Sequence, residues 1–140
     1  MKINLSALAL GLAVALGAPA MAATVGNVHQ NGNDNDAEIT QAFNGSATAG
    51  IEQFGNRNDA DIGQYGNNGA VAAIRQDNGN NNDATIRQFH GVSLLASIHQ
   101  NGSDNDALTV QSGNNKESNV LQVGNNNTSR VYQVDSFFRR

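Results

Sequence analysis

Carboxylate and imidazole side chains are the groups of this chain that could bind a metal ion or move a proton. Two acidic clusters, Asp34-Asn35-Asp36 and Asp104-Asn105-Asp106, have the oxygen-rich composition of a calcium loop. Neither is followed by the glycine and the glutamate that an EF-hand requires at its sixth and twelfth positions. The sequence therefore predicts no specific calcium site.

The histidines and the remaining polar residues indicate no catalysis either. His29 and His99 each directly precede a glutamine and lie three repeats apart, too far to share a metal ion. The chain has no cysteine, no nucleophile elbow and no phosphate-binding loop. We expect surface histidines and no catalytic residue, metal, cofactor or small-molecule substrate.

Amide side chains, in contrast, follow a strict spacing. The glutamines recur every 11 or 12 residues, at Gln30, Gln41, Gln53, Gln64, Gln76, Gln88, Gln100, Gln111, Gln122 and Gln133. Two positions before each stands an aliphatic residue or threonine: Val28, Ile39, Ile51, Ile62, Ile74, Ile86, Ile98, Thr109, Val120 and Val131. Four positions before each is Gly, Ala or Ser. This period of two predicts strands with these three side chains on one face.

A second pattern doubles the period. Six positions before every other glutamine stands an asparagine: Asn35, Asn58, Asn82, Asn105 and Asn127. The alternate segments carry Ala47, Ala70, Leu94 and Lys116 there. The repeating unit thus has 22–24 residues and two unlike arms, and it occurs five times. Such periods are typical of stacked arrays, in which each unit buries its face against its neighbours.

Stacking like arms on like arms places equivalent amides about 4.8 Å apart, so that they can form hydrogen-bonded ladders. A flat meander of hairpins would give no reason for the doubled period. We therefore predict an all-β fold: a five-rung strand–turn–strand β-solenoid of the cross-β, amyloid-like kind, roughly 24 Å tall. Its predicted self-assembly core consists of the glutamines and asparagines above with Ile39, Ile51, Ile62, Ile74, Ile86 and Ile98.

Aspartates recur in the triplet Asn-Asp-Ala, at Asp36, Asp59, Asp83 and Asp106. Their parity points outward, and like charges on neighbouring strands oppose pairing. Two interpretations remain open. The aspartates either keep the chain soluble or act as gatekeepers that delay assembly until after export.

The chain divides into three segments. Residues 1–22 have a positive start, an apolar run and Ala20-Met21-Ala22, which predicts a secretory signal peptide. Residues 23–135 hold the five repeats, and residues 136–140 form a basic and aromatic tail. A net charge of −4 and only seven aromatic residues argue against nucleic-acid binding. We expect a product exported through the periplasm.

The repeat resembles that of the curlin family, the subunits of curli, which are bacterial surface amyloid fibres. The motif Gln-x-Gly-x-x-Asn-x-Ala-x-x-x-Gln stands here as Gln53-Gly55-Asn58-Ala60-Gln64 and as Gln100-Gly102-Asn105-Ala107-Gln111. The resemblance extends over residues 26–133. It implies an extracellular fibre on the bacterial cell surface that serves adhesion, cell aggregation and biofilm matrix.

The resemblance further implies polymerisation with itself and other curlin subunits, and export by the outer-membrane curli machinery. Alanine four places before the glutamine, and the run Leu94-Leu95-Ala96, are closer to the minor, nucleating subunit than to the major one. The alternative is a soluble, secreted β-solenoid whose outer face binds a polysaccharide or ice. A disordered Asn/Gln-rich spacer would not explain the isoleucine register.

Overall fold

The computed structural model describes residues 23–135. The predicted signal peptide and the predicted tail lie outside these described residues. Within the described part no helix is long and apolar enough to cross a membrane.

Within residues 23–135, ten strands form two parallel sheets. The sheet that we call the odd sheet contains, in spatial order, β1 (Ala23–Asn31), β3 (Ser46–Asn56), β5 (Asn68–Asn80), β7 (Leu94–Asn101) and β9 (Lys116–Val123). The even sheet contains, in spatial order, β2 (Asp36–Ala42), β4 (Asp59–Tyr65), β6 (Asp83–Phe89), β8 (Asp106–Ser112) and β10 (Thr128–Val134). One odd and the following even strand make one rung, so the described part of the chain builds five rungs.

Like residues lie beside like residues in both sheets. Ile51 pairs with Ile74 in the odd sheet, and Ala60 pairs with Ala84 in the even sheet. Parallel in-register pairing follows from the doubled period, because only a shift of one full unit brings equivalent arms together. The predicted all-β, five-rung β-solenoid is confirmed.

The core is a thin layer between the two sheets. Alternate alanines and isoleucines fill it, and Ile62 and Ile86 are completely buried. Burying each isoleucine contributes about 1.5–3 kcal/mol. Alanine opposite isoleucine keeps the sheets close enough for glutamine amides of one arm to reach the backbone of the other. Ala47, Ala70 and Leu94 form a second, smaller apolar cluster.

The turn from each odd strand to its even strand needs an unusual backbone. One residue of every such turn has φ between 54° and 57°, and these residues are Asp34, Arg57, Asn81, Asp104 and Asn126. Asparagine and aspartate tolerate this left-handed region. Gly55 has φ 127°, and a Cβ there would overlap the carbonyl oxygen of Gly79 in the next rung. Glycine in the repeat motif is therefore required by close stacking of the turns.

The third rung accommodates one additional residue. The register between β3 and β5 shifts after Gln53–Gln76, and pairing resumes at Gly55–Gly79. The extra length is absorbed at Asp77 and Asn78 as a β-bulge. This explains how a 24-residue unit stacks on a 23-residue unit without loss of the ladder.

Candidate self-assembly site

The inward glutamines form one continuous ladder in each sheet. In the odd sheet the Nε2 atom of Gln30, Gln53, Gln76 and Gln100 donates to the Oε1 atom of the glutamine one rung further along, over 2.7–2.9 Å. Gln41, Gln64, Gln88 and Gln111 do the same in the even sheet, with Gln133 as the last acceptor, over 2.7–2.9 Å. All eight bonds therefore point from the first rung towards the fifth.

Every glutamine of the ladders except Gln30 also connects the two sheets. Gln53 donates to the carbonyl of Asp36 at 2.8 Å, and Gln76 donates to that of Asp59 at 2.8 Å. Gln111 in the even sheet donates to the carbonyl of Leu95 in the odd sheet at 2.9 Å. One amide group thus uses both of its hydrogens, one along the stack and one across the core.

The asparagines form a third ladder at the turn. The backbone N–H of Asn58, Asn82, Asn105 and Asn127 donates to the side-chain oxygen of the asparagine in the preceding rung, over 3.0–3.1 Å. These bonds run in the opposite direction to those of the glutamines. The Nδ2 of Asn35 donates to the carbonyl of Gly55 at 2.9 Å, and that of Asn82 to Gly102 at 2.8 Å.

These ladders make a polar core tolerable. Six of the glutamines are completely buried, namely Gln53, Gln64, Gln76, Gln88, Gln100 and Gln111. Among the described residues no buried side-chain nitrogen or oxygen lacks a hydrogen-bond partner. An unpaired buried amide would cost about 1–3 kcal/mol. The stack therefore depends on every amide having a neighbour in the next rung.

Two further ladders were not predicted. Asn44 and Asn67 are buried at the opposite edge of the core, where the N–H of Asn67 donates to Asn44 Oδ1 at 2.8 Å. A more exposed ladder follows the turns through Asn33, Asn56, Asn80, Ser103 and Asn125. Nearly all of these residues stand three positions after a glutamine, a signal that was present in the sequence.

Comparison with protein families recognises the same unit. The family described as the curlin associated repeat matches residues 46–71 and 55–89, which together span the second and third rungs. These matches support curlin family membership. No curated protein matches the chain. The matched segment contains Gln53, Asn58 and Gln64, the motif residues that form the ladders.

The aspartates of the Asn-Asp-Ala triplets form an outward column on the even sheet, which we call the aspartate column. Asp36 lies beside Asp59, Asp59 beside Asp83, and Asp83 beside Asp106. Partial burial, and next the charge of Asp36, raise the pKa of Asp59. Partial burial, and next the charges of Asp59 and Asp106, raise the pKa of Asp83. The column thus opposes stacking when its carboxylates are ionised.

A different outward network lies on the odd sheet. Arg75 Nε contacts Asp77 Oδ2 at 2.6 Å, and His99 Nε2 contacts the same oxygen at 2.9 Å. Arg75 also lies 3.6 Å from Glu52 and over the ring of Phe54. His99 is thus half-buried and paired rather than freely solvated. The described residues contain no group of three or more His, Asp or Glu side chains suited to a metal ion.

The two ends of the stack differ from each other. Among residues 23–135, β1 and β2 pair on one side only, as do β9 and β10, so both end rungs of the described part present strand edges. Gln122 and Gln133 donate across the core to Asp106 and Glu117, at 2.9 and 2.8 Å. Within residues 23–135 their second amide hydrogens have no acceptor. At the first rung the Oε1 atoms of Gln30 and Gln41 have no donor within the same residues.

Proposed function

We propose that this chain is a structural subunit of curli-type amyloid fibres that grows by end-to-end addition of β-rungs. The curlin-associated repeats and the β-solenoid fold fit such a subunit. Strand edges that are neither covered nor paired are templates for another chain. The glutamines, asparagines and isoleucines of the predicted self-assembly core would then continue from one copy into the next.

The single observation that carries the proposal is the complementarity of the two ends. The fifth rung offers amide hydrogens of Gln122 and Gln133, and the first rung offers the amide oxygens of Gln30 and Gln41. The asparagine ladder matches in the same orientation, because Asn127 offers an oxygen and Asn35 offers a backbone N–H. Only head-to-tail stacking extends all three ladders.

In such a joint β9 would lie beside β1 of the next copy, and β10 beside β2. Continuing the register places Gln122 opposite Gln30, Val131 opposite Ile39 and Asn127 opposite Asn35. The half-buried Val28, Ile39 and Val131 would then become as buried as their equivalents in the inner rungs. Amide hydrogen bonds and the burial of apolar side chains would thus both stabilise pairing of the two ends.

The test is seeded growth of the purified chain from residue 23 onward. We expect a cross-β dye signal after a lag, removal of the lag by preformed seeds, and fibre diffraction at about 4.7–4.8 Å. A chain that stays monomeric and dye-negative at high concentration, with seeds present, would contradict fibre formation. It would favour the soluble binding module instead.

The cellular role that we propose is the one that curlin subunits serve: an extracellular fibre for adhesion, aggregation and biofilm matrix, reached by outer-membrane export. Within that role we favour the minor, nucleating subunit. The last rung carries Thr128 where the others carry an aspartate, so fewer like charges oppose the pairing of a further strand there.

The C-terminal end of the chain offers a test of the nucleating role. If the tail serves nucleation, deleting residues 134–140 should abolish seeding of a second curlin without abolishing folding. Undiminished seeding would remove the tail from the mechanism.

A further inference from the structure

The even sheet has a second outward column, two positions after the aspartates, whose charge changes from one end to the other. We call it the charge column, and it consists of Glu38, Asp61, Thr85, Leu108 and Arg130. Its acidic members lie in the first two rungs and its one base lies in the fifth. A column of this kind is a dipole along the stacking axis.

Glu38 at the head of the column lies in an unfavourable electrostatic environment within its own chain. Its neighbour in the next rung is Asp61, and Asp36 lies two positions before it on the same face. Partial burial, and next the charge of Glu38, raise the pKa of Asp61. Within residues 23–135 Glu38 forms no salt bridge; it accepts a hydrogen bond from Thr40 at 3.0 Å.

Among the described residues, Arg130 at the fifth-rung end of the charge column is accessible on the side that faces away from the preceding rung. Its Nη2 atom lies 3.5 Å from Asp106 of the preceding rung, and the two side chains are 61% and 45% exposed. Neither the length of the side chain nor this contact prevents Arg130 from reaching an acid on the other side. Within the part of the chain that the structure describes, no strand pairs with the free edge of β10.

The register of the proposed joint brings these two residues together. When β10 lies beside β2 of the next copy, Arg130 falls opposite Glu38, about 4.8 Å away along the axis. Thr128 falls opposite Asp36, so the aspartate column is interrupted where two copies meet. We propose that Arg130 pairs with Glu38 of a second copy, and that this contact selects which end of that copy is accepted.

This inference rests on the proposed fibre function and adds a specificity determinant to it. Two copies that met through their first rungs would place Asp36 and Glu38 of one copy near the same acids of the other. Like charges across an interface suppress that arrangement, and opposite charges speed the encounter of the correct ends. Growth should therefore be faster at low salt, where screening is weak.

Charge reversal with mixing tests the contact. Glu38→Arg alone and Arg130→Glu alone should each grow from their own seeds roughly threefold to tenfold more slowly than the unaltered chain at low salt. An equimolar mixture should recover growth to within about twofold, because alternating copies restore an opposite pair at every joint. Matched controls are Glu52→Arg and Arg57→Glu, which reverse exposed charges of an inner rung outside the charge column and should not respond to mixing.

Single variants that grow like their controls, or a mixture as slow as the single variants, would overturn the proposal. Should charge reversal prevent folding, Glu38→Gln keeps the size of the side chain. It should reduce the salt dependence of growth, and an unchanged salt dependence would also overturn the proposal. Failure of the unaltered chain to form fibres would instead refute the proposed function, so the two failures are distinguishable.

Discussion

At the scale of single residues, the inward glutamines should dominate stability and growth. Gln64→Ala removes the acceptor of Gln41 and the donor to Gln88, leaving buried groups unpaired. We expect Gln64→Ala and Gln88→Ala each to lower the free energy of unfolding by about 1–3 kcal/mol and to slow seeded growth. Urea unfolding of the unassembled chain and a dye assay measure the two effects.

The matched control for the glutamine variants is Glu52→Ala. Glu52 is exposed on the outer face of the odd sheet, where its salt bridge to Arg75 contributes roughly 0–1 kcal/mol. We expect small changes in unfolding and growth. If the outward variant is as slow as the inward ones, the ladders do not control assembly.

The positions of the inward residues could be predicted, because only one register of the strands satisfies both the period of two and the doubled repeat unit. The buried Asn44 and the paired Asp77 could not be predicted from that reasoning. Asn44 lies in a turn, where burial depends on the local backbone rather than on strand parity. Asp77 lies in the bulge of the third rung, where one additional residue redirects its side chain towards Arg75 and His99.

At the scale of elements, the aspartate column should make assembly depend on pH. The raised pKa values of Asp59 and Asp83 in this column, and of Asp61 in the charge column beside it, mean that the folded stack binds protons more tightly than the unfolded chain. Stability and growth should therefore increase as the pH falls from neutral towards the ordinary aspartate pKa of 3.8. The hydrogen bond from Lys116 lowers the pKa of Asp135. Protonation of Asp135 would destabilise the fold, but this opposing effect begins only below the ordinary aspartate pKa of 3.8.

Neutralising the column should reproduce the effect of acid at neutral pH. The double variant Asp59→Asn with Asp83→Asn should grow several-fold faster at pH 7 and show a flatter pH profile. Asp104→Asn is the control, because it removes one charge from a turn position that asparagine occupies in other rungs. A pH profile that stays as steep in the double variant as in the control would contradict the gatekeeper interpretation.

A second prediction at this scale concerns the most aggregation-prone strand. Residues 92–98 are uncharged and rich in aliphatic residues, the composition of a steric zipper. Leu94 and Ile98 are buried, whereas Val92 and Leu95 are 48% and 44% exposed, so both faces of this segment are apolar. A peptide of residues 90–100 should aggregate before one of residues 54–64, which contains Arg57, Asp59 and Asp61. Turbidity of the two peptides at equal concentration decides the order.

At the scale of the whole molecule, we expect the stack to tolerate the loss of a complete two-arm unit but not the loss of a single arm. Deleting residues 54–76 removes one unit from Gln53 to Gln76, and every remaining arm keeps its sheet. Deleting residues 54–64 removes a single arm, so all later arms change sheets. The asparagine ladder would then meet Ala70 and Leu94 instead of Asn58 and Asn82.

We expect the full-unit deletion to fold with four rungs and to add to fibres of the unaltered chain. Because stability in a solenoid is approximately a sum over rungs and their interfaces, its urea midpoint should fall moderately. The single-arm deletion retains more residues, yet it should lose cooperative unfolding and seeded growth, because buried amides then lack partners. Equal behaviour of the two deletions would show that the doubled period has no structural role. The unlike arms predict instead that the single-arm deletion, although it is the longer chain, is less stable than the full-unit deletion.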